Sequence, residues 1–247
     1  MPMTGTSDET RIIEYQELLR PGRLLSCESR QILLHASRFS RIEKSFRELK
    51  SEQGQEQFRI AVLATLSTQH FISVLRLFLY SEGISPDFYV GEFDNIITDG
   101  TDPNAAILQS NPQALLILPA IDDIKTWPKL FSSDEEITTW VRFYTKHYLN
   151  IWQQIAKHIP GCRVYQSLFV PPFERPLGNL ERRFPFSRTN CLTALNNYLV
   201  EQAPPYVTLV DVDALSGLIG RQHWIDETAY FTSKQPFSIR EMPVVAA

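Results

Sequence analysis

The stretch RIAVLATLSTQHFISVLRLFLYSEGISPDFYVG, Arg59 to Gly91, decides the fold. Its first six residues are almost wholly apolar and rich in β-branched and aliphatic side chains, the composition of a strand buried on both faces. Ser67 and Thr68 then offer hydroxyl caps, and the apolar residues from Phe71 onward recur at helical spacing. Gly83 and Pro86 stop that helix before a second short apolar run. A strand, a helix and another strand within about 30 residues form a parallel βαβ unit.

The same alternation continues to the end of the chain. Strands are expected near 59–64, 87–91, 114–119, 162–168 and 206–211, and helices near 68–82, 133–158, 188–202 and 212–219. The helix expected at 133–158 is the best marked: it opens on Ser133 with acids behind it and closes on Lys157, His158, Pro160 and Gly161. Five strands joined by right-handed helical crossovers predict a three-layer α/β/α body with a five-stranded parallel, doubly wound sheet of flavodoxin order. Residues 91–104, GEFDNIITDGTDPN, read as a loop after the second strand. Residues 1–57 differ: a polar leader precedes Ile32, Leu33, Phe39, Ile42, Phe46 and Leu49 at near-helical spacing, so 1–57 is expected to be a helical extension and 58–247 the α/β domain.

With 43% hydrophobic residues among 247, the chain can bury a full core. Its net charge of −4 is spread without a basic stripe, which argues against nucleic acid or an anionic membrane as partner. No apolar run approaches the roughly 20 residues that span a bilayer. Cys27, Cys162 and Cys191 form no metal-binding spacing, and the amino terminus lacks a basic, apolar leader; both point to a cytoplasmic protein without a structural metal.

Sheets of this kind bind ligands beyond the carboxyl ends of their strands, which directs attention to four segments. TLSTQH places Thr65, Ser67 and His70 at the first turn, where a hydroxyl can be a nucleophile beside helix amides or an ordinary cap. PAIDD places Asp122 and Asp123 past the third strand, as a base-orienting or hydroxyl-binding carboxylate or a plain loop start. In ERPLGNLE, Arg175 offers a fork for an anion, Gly178 a close backbone approach and Asn179 two N–H donors. The last segment, HWIDETAYFTSKQPFS, gathers Trp224, Asp226 and Tyr230, either as a site-closing loop or as a strap packing Phe231 and Phe237 on the core.

Taken in order, RIAVLATLSTQHFISVLRLFLYSEGISPDFYVGEFDN, NPQALLILPAIDDI, ERPLGNLE, LNNYL, LVDVDAL and HWIDETAYFTSKQPFS resemble the SGNH-hydrolase-like amino-terminal domain of FkbH-like proteins over roughly 59–243. That resemblance implies delivery of a small glyceryl-type acyl unit, carried as a phosphorylated donor, to the 4′-phosphopantetheine thiol of an acyl carrier protein in polyketide biosynthesis, with no cofactor of its own. It assigns Ser67, His70 and Asp226 to catalysis and Thr65, Asp122, Arg175, Gly178, Asn179, Trp224 and Tyr230 to substrate binding. It also implies a haloacid-dehalogenase-type phosphatase, in the same chain or apart, and makes Cys191 a candidate acyl carrier against the alternative of a buried helix cysteine. The chain departs from SGNH enzymes in having Ala-Thr-Leu-Ser at 64–67 in place of Gly-Asp-Ser, and Ala229 three residues after Asp226 in place of histidine. Two further readings stand beside transfer: a non-catalytic domain that docks the carrier, with Glu181, Arg182, Arg183 and Arg188 near its landing patch, and an esterase with a rebuilt triad. Asp211 and Asp213 read as structural.

Overall fold

The computed structural model describes residues 57–81, 84–102, 104–235 and 237–246; the expected amino-terminal helical extension lies outside them. The described residues form two compact bodies.

The larger body, residues 59–67 and 88–225, holds the sheet. Its strands are β1 (Phe58–Ala64), β2 (Pro86–Val90), β3 (Ala114–Leu118), β4 (Arg163–Ser167) and β5 (Val207–Val210), in the order β2-β1-β3-β4-β5. The pairings of β1 with β3, β3 with β4 and β4 with β5 are all parallel, with Ala61 opposite Leu115 and Leu115 opposite Val164. This is the five-stranded flavodoxin order and three-layer α/β/α class expected from the apolar runs. Ala61, Val62 and Leu63 are fully buried, as a central strand covered on both faces requires.

The helix α4 (Asp134–His158) follows two short helices, α2 (Ile96–Thr101) and α3 (Ala106–Gln109), and precedes α5 (Arg188–Gln202). Ser133 and Glu136 close its amino end reciprocally: Ser133 Oγ accepts from the Glu136 amide at 3.2 Å, and the Ser133 amide donates to the Glu136 carboxylate at 2.7 Å. Ile151, Trp152 and Ile155 of α4 and Leu192, Leu195 and Leu199 of α5 join Leu115, Ile117 and Val164 of the sheet in one core. Where a loop was expected after β2, the chain forms α2. The Asp99 carboxylate accepts from the Glu92 amide and the Asn95 side chain, stabilising that turn locally. Gly100 then lets α2 lie against α4: a Cβ there would stand 2.7 Å from an Ile151 carbon. The helices α6 (Val212–Ile219) and α7 (Arg221–Trp224) complete this body.

The smaller body contains α1 (Gln69–Ser81), α8 (Glu227–Ser233) and α9 (Met242–Ala246). Here α1 packs against α9, and Phe71 meets Phe237 edge-on at 6.2 Å. The segment after Trp224, expected to be a loop or strap, is instead largely short helices, because Asp226 caps α8 by accepting from the Ala229 amide at 3.0 Å. Phe231, expected to pack on the core, is 73% exposed. No helix among the described residues is long and apolar enough to cross a membrane.

Candidate functional site

The parallel ladder between β1 and β3 runs to Ala64 opposite Leu118 and is extended by the Thr65 amide bonding to the Leu118 carbonyl at 3.3 Å. Both chains therefore leave the sheet side by side. Past β3 a 3-10 turn, Ile121–Asp123, swings the Asp123 carboxylate back over this edge. Thr65 Oγ1 donates to it, lying 2.8 and 2.7 Å from its two oxygens; the Ala120 amide donates at 3.1 Å, and the Tyr148 hydroxyl, from the middle of α4, at 3.3 Å. Asp123 thus ties the turn after β1, its own loop and the core helix into one polar knot.

Burial raises the Asp123 pKa above the usual aspartate value; the three donors oppose that rise, and the nearby Asp94 carboxylate adds to it. Burial, reinforced by the Asp123 charge, holds the Tyr148 phenol well above its ordinary range. Thr65 is only 2% exposed, so its hydroxyl serves as a clamp on the turn. Ser67, two residues on, is half-buried and sits at the end of the segment the clamp fixes.

The loop after β4 is built otherwise. Two asparagines of α5 hold it by backbone contacts. Asn196 accepts from the Phe169 amide at 3.0 Å and donates to the Phe169 carbonyl at 2.8 Å, while Asn190 donates to the carbonyls of Glu181, Arg182 and Phe184. Inside that frame Arg175, Gly178 and Asn179 are exposed, and Gly178 takes a left-handed φ of 54° at the start of the 3-10 turn Gly178–Arg183.

Of the residues expected at a site, the structure brings Thr65 together with Asp123, the neighbour of Asp122; Asp122 is half-buried beside it. Arg175, Gly178 and Asn179 follow the adjacent strand at the same edge of the sheet. His70, exposed in the first turn of α1, Asp226, the α8 cap, and Tyr230, which lies under the Lys234 ammonium at 4.8 Å, belong to the smaller body. Trp224 is buried in the larger body at 4% exposure, which makes it a packing residue. Cys191 is fully buried, and burial together with Glu181 pushes its thiol up to about 11, far from the reactive thiolate range. Asp211 caps α6 through the Ala214 amide and Asp213 pairs with Arg221, so both serve the fold. Among the described residues no group of His, Cys, Asp and Glu could hold a metal ion. Sequence reasoning missed Tyr148, Asn190 and Asn196. The two asparagines carried a signal: polar residues of poor helix propensity inside a helix whose neighbours are apolar.

The strand order and the helical crossovers define a three-layer α/β/α domain with a five-stranded parallel sheet. A lipase, Lip_vut3 from a goat rumen metagenome, shares this fold at 11% identity and a TM-score of 0.52, covering 77% of this chain and 98% of its own. The amino-terminal part of the protein BF1531 from Bacteroides fragilis, which contains a phosphatase domain complexed with Mg, superposes with a TM-score of 0.66 at 17% identity over 81% of this chain; the match spans only 54% of that structure. No curated protein matches the sequence. The model of the FkbH N-terminal domain matches residues 59–247, and the chain belongs to that family.

Proposed function

We propose that this domain transfers a small, three-carbon glyceryl-type acyl unit from a phosphorylated donor to the pantetheine thiol of an acyl carrier protein. The observation that carries the reading is the clamped turn after β1: Thr65 and Asp123 fix the backbone so that Ser67 stands at the sheet's carboxyl edge, in a family tied to FkbH-like proteins. Ser67 Oγ would attack the acyl carbonyl, and phosphate would leave with the electrons of the broken C–O bond and the proton from Ser67. The carrier's thiol would then attack the serine ester, forming the thioester as the C–O bond to Ser67 breaks and the thiol's proton passes to Ser67 Oγ. Arg175 would hold the donor's anionic group, Asn179 would donate to the oxyanion, and Asp122 would contact the substrate's hydroxyls. A phosphatase domain, in the same chain or a separate one, would supply or consume the phosphorylated unit; the phosphatase-bearing B. fragilis structure is the support for this.

The test is intact-mass spectrometry of a holo carrier protein incubated with this chain and a three-carbon acyl phosphate. The expected result is a carrier heavier by the acyl unit, with the rate falling at least about a hundredfold in Ser67→Ala. Undiminished loading by Ser67→Ala would remove Ser67 from the mechanism. A complex with the carrier but no mass gain would favour a second reading, a docking domain without catalysis, which the full engagement and burial of Thr65 also support.

A further inference from the structure

Two loops at the carboxyl edge of the sheet, one after β3 and one after β4, are zipped together by aromatic rings. Phe131 meets Phe186 edge-on at 5.4 Å, Phe186 stacks on Phe184 at 5.2 Å, and the Arg188 guanidinium lies 5.1 Å over the Trp127 ring. The outer face of this seam is apolar: Phe131 is 81% exposed and Leu130 68%. Phe131 also holds a left-handed φ of 66°, which a bulky side chain rarely adopts. Phe131 is the third residue of a turn closed by the Ser132 amide bonding to the Lys129 carbonyl at 3.1 Å, and that turn presents two large apolar side chains side by side to water.

Cations flank the seam in sequence, beside Leu130 and on either side of Phe184 and Phe186. Lys129, Arg182, Arg183 and Arg188 are all exposed, in a chain whose net charge is −4. The acids nearest in sequence, Asp134, Glu135 and Glu136, occupy the first turn of α4, where they answer the helix's positive end, and Glu136 is further tied to the Ser133 backbone.

We propose that this aromatic seam is the seat of the acyl carrier protein, with an acidic helix of the carrier lying against Phe131 and Leu130 and its carboxylates meeting Lys129, Arg182 and Arg183. The assignment rests on the carrier-protein reading above and gives it a location. A second copy of this chain fits less well, since two-fold pairing through the seam would set these cations against each other. Because both loops leave the edge that carries Thr65 and Asp123, a carrier seated here would bring its pantetheine arm to that edge.

Isothermal titration of the full chain with the holo form of an acidic type II polyketide carrier protein tests this. Wild type is expected to bind, more weakly as salt rises. Phe131→Gly and the double variant Arg182→Glu/Arg183→Glu should each raise Kd about tenfold, with Phe131→Gly melting no lower than wild type. Variants that bind as wild type does would overturn the seam as the docking surface while leaving the carrier reading intact. Failure of wild type to bind any such carrier would remove both. A dimer in sedimentation velocity that Phe131→Gly dissociates would give the seam to a second copy and overturn the proposal.

Discussion

The turn after β1 and the loop after β4 leave one edge of one sheet, yet they hold polar groups in opposite ways. The first turns its hydroxyl inward, where Thr65, Ala120 and Tyr148 all donate to a single carboxylate. The second turns backbone carbonyls inward to Asn190 and leaves Arg175 and Asn179 to solvent. The contrast teaches that proximity to a sheet's carboxyl edge does not by itself make a side chain a ligand contact. Thr65 and Asp123 are the frame, whereas Arg175 and Asn179 on the asparagine-held loop stay exposed.

The sharpest way to break the comparison is Asp123→Ala. It orphans three donors at once, and a loss of about 3 kcal/mol is expected in urea unfolding. A loss below about 1 kcal/mol would mean that the knot is not a frame. Asn190→Ala removes the amide that gathers three carbonyls on the other loop; because water can reach much of that loop, a smaller loss of about 1–2 kcal/mol is expected, with faster amide exchange confined to residues 178–186. Exchange that rises equally in the turn after β1 would show the two regions to be one unit.

The smallest effect is pH-dependent. Burial raises the folded-state pKa of Asp123, so the folded protein keeps this proton to higher pH than the unfolded chain does. The linked stability is therefore full below the ordinary aspartate value of 3.8 and declines as pH rises through the raised folded value. The stability difference between wild type and Asp123→Asn should accordingly shrink as pH increases from 3.8 towards neutrality and then level off. A difference that grows over that interval would contradict the burial-driven shift.

Much of the fold was legible because its signals are local. The apolar run at Ile60–Ala64 needs no partner to be recognised as a central strand, and Ser133 with Glu136 three residues later marks the start of α4 unaided. The helix α2 was hidden because its stability comes from Asp99 bonding and from Gly100 against Ile151, a contact invisible in a window of ten residues. The site was legible as a set of loops and less so as a set of roles. Which of Asp122 and Asp123 faces Thr65 depends on the phase of a three-residue 3-10 turn, and the partners stand 58 residues apart. Tyr148 could not be singled out from the apolar stripe of α4, since its hydroxyl matters only once Asp123 is above it.

The two buried cysteines carry a practical consequence. Cys162 and Cys191 are walled off by the core, and burial raises both thiols to about 11. In the native protein they resist alkylating reagents at neutral pH, so the rate at which they are modified is a clock for transient opening of the β4–α5 layer. The chain thereby contains its own reporters of breathing motions, read by mass as alkyl groups are added.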